Sequence, residues 1–246
     1  MIKILVIGES CKDIFQYGNC ARLCPEAPAP VFNPVNRTEN GGMAMNVYNN
    51  IISMGVKVDI ITNENWESIT KIRFVEKRSN HMFMRLDSGD DSYPVFDLSK
   101  NKIDFKKYDA VIVSDYNKGF LNENTMSQIS LLHNLTFLDT KKKFGEWCEN
   151  FTYIKINNAE YENNLGLISD KLKDKIIVTK GPQGCLFKKE YYPVPLVEVK
   201  DTSGAGDTFI SSLCVEFCRT RDMGKSIKFA NICATSVVQK KGVAIA

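Results

Sequence analysis

Histidine is almost absent from this sequence: among 246 residues only His81 and His133 occur. Two imidazoles leave the rest of a structural zinc site to other ligands, usually thiolates. The eight cysteines are poorly spaced for that. Cys20 and Cys24, and again Cys214 and Cys218, are CxxxC pairs rather than the CxxC of zinc ribbons and redox sites. The thiols therefore read as reduced, small apolar residues of a cytoplasmic protein. Long hydrophobic runs are also lacking, and none approaches the roughly 20 residues that span a bilayer, so no membrane partner is expected. Residues 1–8 are too short and wrongly flanked for a signal peptide and read as a buried strand. There is no long basic run and the formal net charge is only +3. Nucleic acid is therefore not the expected partner, while a phosphorylated small molecule is compatible.

What is present is ordinary for a soluble domain, with 43% hydrophobic and 25% charged residues. The length suits one large α/β domain, or one domain plus a small lid. Short apolar runs at 3–8, 56–62, 110–114, 136–139, 153–157, 175–179 and 185–187 read as strands. Helical spacing appears at 43–54, where Gly55 is placed as a C-cap, and at 123–133, 205–220 and 225–240. Strands alternating with helices imply a mostly parallel sheet with helices on both faces, an α/β fold. Two segments break that rhythm. Residues 14–36 hold four prolines, and 70–98 hold alternating stretches such as Met82-Phe83-Met84-Arg85-Leu86. A small β lid made from these two insertions is the expectation.

The most informative stretch is Asp201-Thr202-Ser203-Gly204-Ala205-Gly206-Asp207-Thr208-Phe209. It precedes a helix whose Phe209, Leu213 and Phe217 share one face. Gly204-Ala205-Gly206 is then a small-residue loop at a helix N-terminus. Unpaired N–H groups and the helix dipole make such a loop an anion site, and small residues let a phosphate approach the backbone. Asp207 lies beside it in the first turn. There a carboxylate can take a proton from an attacking hydroxyl while the loop holds the transferring group. The plainer reading is a helix start with Asp as a capping residue.

This stretch resembles the C-terminal signature of the ribokinase/PfkB carbohydrate kinases. The resemblance implies a ribokinase-like three-layer fold, with Asp207 as catalytic base and the backbone of Gly204, Ala205 and Gly206 as the hole for the γ-phosphate of ATP. Further motifs follow in family order. Asp13 matches a sugar-binding aspartate, and Gly41-Gly42-Met43-Ala44-Met45-Asn46 resembles the element that holds sugar hydroxyls through Gly41, Gly42 and Asn46. Asn157-Asn158-Ala159-Glu160 resembles the NxxE motif, which implies that Glu160 places Mg²⁺, through water, with Asn157 alongside. Thr179, Gly181 and Gly184 match a TxGxxG turn lining the nucleotide site, where Asn231 is also expected.

Several pieces are similar to the heptose-7-phosphate kinases in particular: residues 21–31, Thr70-Lys71-Ile72-Arg73, Met84-Arg85-Leu86-Asp87, Ser114-Asp115-Tyr116-Asn117-Lys118-Gly119 and Asp139-Thr140-Lys141. The implied substrate is D-glycero-D-manno-heptose 7-phosphate, phosphorylated on its anomeric hydroxyl. Arg22, Arg85, Lys118 and Lys141 are candidates for its phosphate, Arg85 and Lys118 foremost. A homodimer through the lid is implied as well. The sequence departs from that pattern between Gly55 and Thr70, where a helix and a strand are missing. Residues 1–246 are thus expected to form one kinase domain trimmed near 56–70. No nucleotidylyltransferase part, such as the bifunctional heptose enzymes carry, is expected within residues 1–246, and Glu9-Ser10-Cys11-Lys12 replaces a more apolar stretch. Two alternatives stand beside this reading: a kinase for another sugar, sugar phosphate or nucleoside, and a trimmed sugar- or nucleotide-binding protein with little catalysis. A zinc or redox role for the cysteines is more distant.

Overall fold

The apolar runs of the sequence pair into one large sheet in the computed structural model, which describes residues 1–245. In chain order the first half holds β1 (Lys3–Gly8), β2 (Ser10–Asn19), β3 (Asn33–Met43), α1 (Ala44–Ser53), β4 (Lys57–Ile61), β5 (Thr70–Glu76) and β6 (Met82–Ser88). Next come β7 (Ala110–Asp115), α2 (Glu123–Leu132), β8 (Thr136–Thr140), β9 (Tyr153–Asn157), α3 (Asn158–Asn164) and β10 (Ile176–Thr179). The chain continues with β11 (Cys185–Phe187), β12 (Glu190–Tyr192), α4 (Ala205–Thr220) and α5 (Met223–Val238).

Eight strands form the large sheet in the order β12-β11-β10-β9-β8-β7-β1-β4. From β4 to β10 every pairing is parallel, and β11 and β12 add an antiparallel margin. Each side of the sheet has its own core. Ile4, Val6, Ile112 and Phe137 pack against Val47 of α1, Phe209 and Leu213 of α4 and Ile227 of α5. Leu5, Ile7, Val113 and Leu138 pack on the opposite side with Met126 and Ile129 of α2. The strand period of two and the helix period near four thus meet in three layers, as expected for the ribokinase-like class. The helix expected at 205–220 has those bounds, and the last helix lies two residues earlier than 225–240.

The second sheet has four strands in the order β3-β2-β5-β6. Its registers separate two faces. Asp13, Lys71 and Asp87 are aligned across the strands, and Phe15, Arg73 and Arg85 are aligned further along the same face. Ile14, Ile72 and Leu86 lie on the other face. Polar β3 was not separately legible as a strand, because Asn33–Glu39 is exposed throughout. Beyond β6 the chain returns to the main body, where Tyr93 and Phe96 join its core.

The two sheets are joined with little slack. A single residue, Glu9, separates β1 from β2, and β3 runs directly into α1. Met43, at that second junction, has φ 63°, a left-handed conformation costly for a side-chain-bearing residue. All eight cysteines are free, and five of them, Cys11, Cys148, Cys185, Cys214 and Cys233, are buried.

Gly8 ends β1 where the backbone of β7 comes closest: a Cβ there would collide with the carbonyl oxygen of Ser114. Gly8→Ala should lower unfolding stability by about 2 kcal/mol, the scale of overpacking a tight core. Urea denaturation of the variant against wild type measures it.

Candidate active site

At the C-terminal ends of the parallel strands the loops leave a cavity of about 480 Å³. One end is apolar, lined by Pro182, Val194, Leu196, Phe209, Ala234 and Val238. The other end is charged and contains Asp139, Lys141, Lys155 and Asp207. Such a site suits a ligand with a flat apolar part and an anionic part.

The charged end is built on the N-terminus of α4. Gly204 is the N-cap residue with φ 79°, and a Cβ there would come within 2.7 Å of Asn46 Nδ2. Glycine meets both demands. The Ala205 N–H is taken by the Thr202 carbonyl at 3.2 Å. The N–H groups of Gly206 and Asp207 have no acceptor among the described residues, so these two amides, more than that of Ala205, can receive an anion. A Cβ at Gly206 would lie 2.9 Å from Lys155 Nζ, so an ammonium stands directly against the same turn.

Asp207 is buried between two donors. Asn46 Nδ2 donates to Oδ2 at 2.8 Å, and the Tyr116 hydroxyl donates to Oδ1 at 2.6 Å. Burial raises the Asp207 pKa above the ordinary aspartate value; the two hydrogen bonds oppose the rise and Asp139 adds to it. A carboxylate in that condition is oriented, partly desolvated and a stronger base than an exposed one. Burial also raises the Tyr116 pKa well above that of a free phenol, so this side chain stays a donor.

Lys155 and Asp139 face each other across the β8–β9 register and pair at 2.7 Å, both almost wholly buried. Lys141 pairs with Glu160 and stands 4.0 Å from Asp139 Oδ1. Burial pulls the Lys141 pKa down, but Asp139 and Glu160 outweigh it and hold the ammonium more tightly than usual. Asp139 Oδ1 is buried without a hydrogen-bond donor.

The residues singled out in the sequence divide into two groups. Gly204, Ala205, Gly206, Asp207, Asn157, Thr179, Gly181, Gly184 and Asn231 all line the cavity. Asn157 and Glu160 form the capping box of α3, each side chain accepting from the other's backbone N–H. Glu160 lies behind Lys141, outside the lining. Asn231 donates to the Tyr192 carbonyl at 3.0 Å, tying α5 to the β12 margin.

The second group surrounds the small sheet. Asp13 is ion-paired with Arg73, and Gly42 packs against the Asp13 side chain. Gly41 packs against Met45, and Asn46 reaches Asp207 directly. Arg85 makes a two-pronged contact with Asp87 two residues along its own strand, and Lys118 is bound to Asp90. None of these second-group residues lines the cavity.

Sequence reasoning gave no role to Tyr116, Asp139, Lys155 or Arg73. Lys155 left a usable signal, as a lone cation inside the apolar strand Tyr153–Asn157. Glu9 was read only as a departure from a pattern. Its carboxylate accepts from the backbone N–H groups of Tyr116 and Lys118 at 2.8 and 3.1 Å, and so fixes the loop that carries Tyr116. Burial, with Asp115 nearby, raises its pKa to about 7.

Comparison with known proteins follows this geometry. Residues 135–246 match the model of the pfkB family carbohydrate kinases. The Bifunctional protein HldE of Helicobacter pylori (strain HPAG1) is 33% identical over 299 aligned positions, which take in 100% of this chain and 65% of that protein. The protein of the same name from a Nitratiruptor species is 29% identical, over 99% of this chain and 63% of its own length. The chain therefore spans under two thirds of the curated relatives it matches. Among solved structures, Arabidopsis thaliana ribokinase complexed with ribose and ATP superimposes with a TM-score of 0.71 at 14% identity, covering 98% of this chain and 94% of its own. Ribokinase from Thermotoga maritima gives 0.70 at 16% identity, covering 99% and 95%.

Removing the hydroxyl in Tyr116→Phe takes away one of the two bonds that favour ionised Asp207. The Asp207 pKa should then rise further above its wild-type value. Carboxyl-carbon NMR titration of both proteins reads the direction, and an unchanged titration would remove Tyr116 as a determinant.

Proposed function

We propose that this chain, whose residues 135–246 match the pfkB family carbohydrate kinases, is a kinase of that family and transfers the γ-phosphoryl group of ATP to the anomeric hydroxyl of a heptose 7-phosphate, D-glycero-D-manno-heptose 7-phosphate being the preferred acceptor. The observation that carries the reaction is the juxtaposition at α4: a buried, oriented Asp207 carboxylate beside the free amides of Gly206 and Asp207 in one cavity. The apolar end receives the adenine, and the phosphates extend toward α4 and Lys155. Asp207 accepts the proton of the sugar hydroxyl as that oxygen attacks phosphorus. The amides and Lys155 take up the charge on the transferring group, while Asn46 and Tyr116 keep the base aimed. Catalysis of this kind is mainly positioning and charge stabilisation.

A divalent cation, Mg²⁺, would supply charge neutralisation for the phosphates when bound. The residues fit a hard cation with oxygen ligands: Asp139 Oδ1 is buried with no donor, and Glu160 stands near it across Lys141. Asp139 would hold the ion, with Glu160 acting through water.

The acceptor assignment is supported by the inner face of the small sheet. Asp13, held by Arg73, suits sugar hydroxyls. Arg85, about half exposed and tied among the described residues only to Asp87, suits a phosphate at the far end of the sugar. The small sheet then acts as a lid that keeps water from competing as acceptor. The opposite face carries exposed Met82, Met84 and Leu86 in alternation, which suits a second copy of the chain. That β4 is the edge of the large sheet supports a domain trimmed near 56–70. In keeping with this, the 299 aligned positions exceed the 246 residues present, so the Helicobacter pylori relative carries at least 53 residues with no counterpart here.

ADP release measured across a panel of sugars and sugar phosphates tests the reaction. A heptose 7-phosphate should be the best acceptor, and Asp207→Asn should lose at least about a hundredfold in rate, the scale of general-base catalysis. Equal rates would remove Asp207 from the chemistry, and tight sugar binding without turnover would favour a binding protein. Activity should fall as pH drops through the raised Asp207 pKa, because only the ionised form accepts a proton. For the lid contact, Met84→Lys should convert a dimer to a monomer in light scattering, and a wild-type monomer would refute that contact.

A further inference from the structure

Lys141 occupies an unusual place among the cations of the cavity. Its ammonium is bound to Glu160, stands 4.0 Å from Asp139 Oδ1 and lies 5.5 Å from the centre of the Tyr116 ring. Lys155 is different: it is almost wholly buried in the cavity wall and fixed on Asp139 Oδ2. The Lys141 side chain is 35% exposed, long and unbranched, so it can leave without disturbing packing. What it would leave behind is a pair of carboxylates. Glu160 Oε2 is committed to the N-terminus of α3, but its Oε1 has Lys141 as sole hydrogen-bond partner among the described residues. Asp139 is 4% exposed, lines the cavity and keeps Oδ1 with no donor at all.

A buried carboxylate oxygen without a donor is costly, on the order of 1–3 kcal/mol or more for a charged group. Such an atom signals a missing partner. Lys155 serves Oδ2 of the same carboxylate, and Lys141, 4.0 Å from Oδ1, is too far for a hydrogen bond to it and is held by the neighbouring carboxylate. A cation placed between Asp139 and Glu160 would satisfy both, and Lys141 now stands in that space.

We infer that the ammonium of Lys141 is an internal cation seated at the Asp139–Glu160 pair, which a divalent cation must displace, and that the displaced ammonium moves onto the phosphate oxygens of the nucleotide. Metal entry and Lys141 departure are then one exchange. Without nucleotide the ammonium has nowhere better to go and metal binds weakly. With nucleotide present, two cations serve two sets of anions and both bind well. The phosphate oxygens thus control metal affinity through a side chain, by the ordinary rule that a ligand's apparent affinity is reduced by the fraction of sites blocked. This inference rests on the kinase reading only for the identity of the phosphate ligand.

Mn²⁺ serves as the probe, its free concentration followed by electron paramagnetic resonance with no sugar present. Lys141→Met should tighten Mn²⁺ binding in the absence of nucleotide by about tenfold, which is a change of about 1.4 kcal/mol. Lys141→Gln should act in the same direction, and Lys141→Arg, which keeps the charge, should leave affinity near wild type. Adding a non-hydrolysable ATP analogue should tighten binding strongly in wild type and much less in Lys141→Met. The double variant Lys141→Met/Asp139→Asn should lose the gain. Unchanged affinity in Lys141→Met, or a gain that survives loss of the Asp139 carboxylate, would overturn the exchange. Because no turnover is measured, these outcomes are separate from the kinase reading: a protein that exchanges cations but phosphorylates no sugar would refute that reading alone.

Discussion

The site depends on a carboxylate kept short of water without being neutralised by a cation. Asp207 lies in the first turn of α4, where the helix dipole favours negative charge, and burial works against that charge. Two neutral donors, an amide from α1 and a phenol from the loop after β7, offset part of the burial with some help from nearby Lys155, and the pKa stays raised. A lysine in their place would stabilise the ion further and weaken it as a proton acceptor. Three segments far apart in the chain must therefore meet within hydrogen-bond reach. The architecture supplies this by packing α1 and α4 on one side of the sheet while β7 delivers Tyr116 from its C-terminal end.

The positive charges are divided in the same spirit. Lys155 is locked by Asp139 in the core, so its field at the α4 turn is fixed before any ligand arrives. Such preorganisation avoids rearrangement at the moment of transfer. Lys71, Arg73, Arg85 and Lys118 each have a carboxylate partner on or beside the small sheet. The cations of the small sheet are thus paired locally rather than left as a free positive patch.

Much of the body of the fold could be read from the sequence because its signals are local. Ala110-Val111-Ile112-Val113 is a short apolar run suited to a strand buried on both faces, and Gly204-Ala205-Gly206-Asp207 announces its helix within four residues. What escaped was produced by tertiary pairing. Asn33–Glu39 has no apolar alternation, and it is a strand because β2 offers it hydrogen bonds. Tyr116 and Lys155 matter through residues 91 and 16 positions away, and their types alone do not reveal those contacts. Asn157 and Glu160 show the converse: their spacing is legible, yet the same four residues also form a capping box, so the pattern serves helix initiation as well as any ligand.

The junctions between the sheets carry a mechanical consequence. With one residue between β1 and β2, and none between β3 and α1, the small sheet has two pivots, at Glu9 and at Met43. Both are wired to the carboxylate: Glu9 grips the backbone beside Tyr116, and Met43 immediately precedes the helix that carries Asn46. A rotation of the small sheet about these junctions would reach both donors of Asp207 together, because one junction holds the loop of Tyr116 and the other leads into the helix of Asn46.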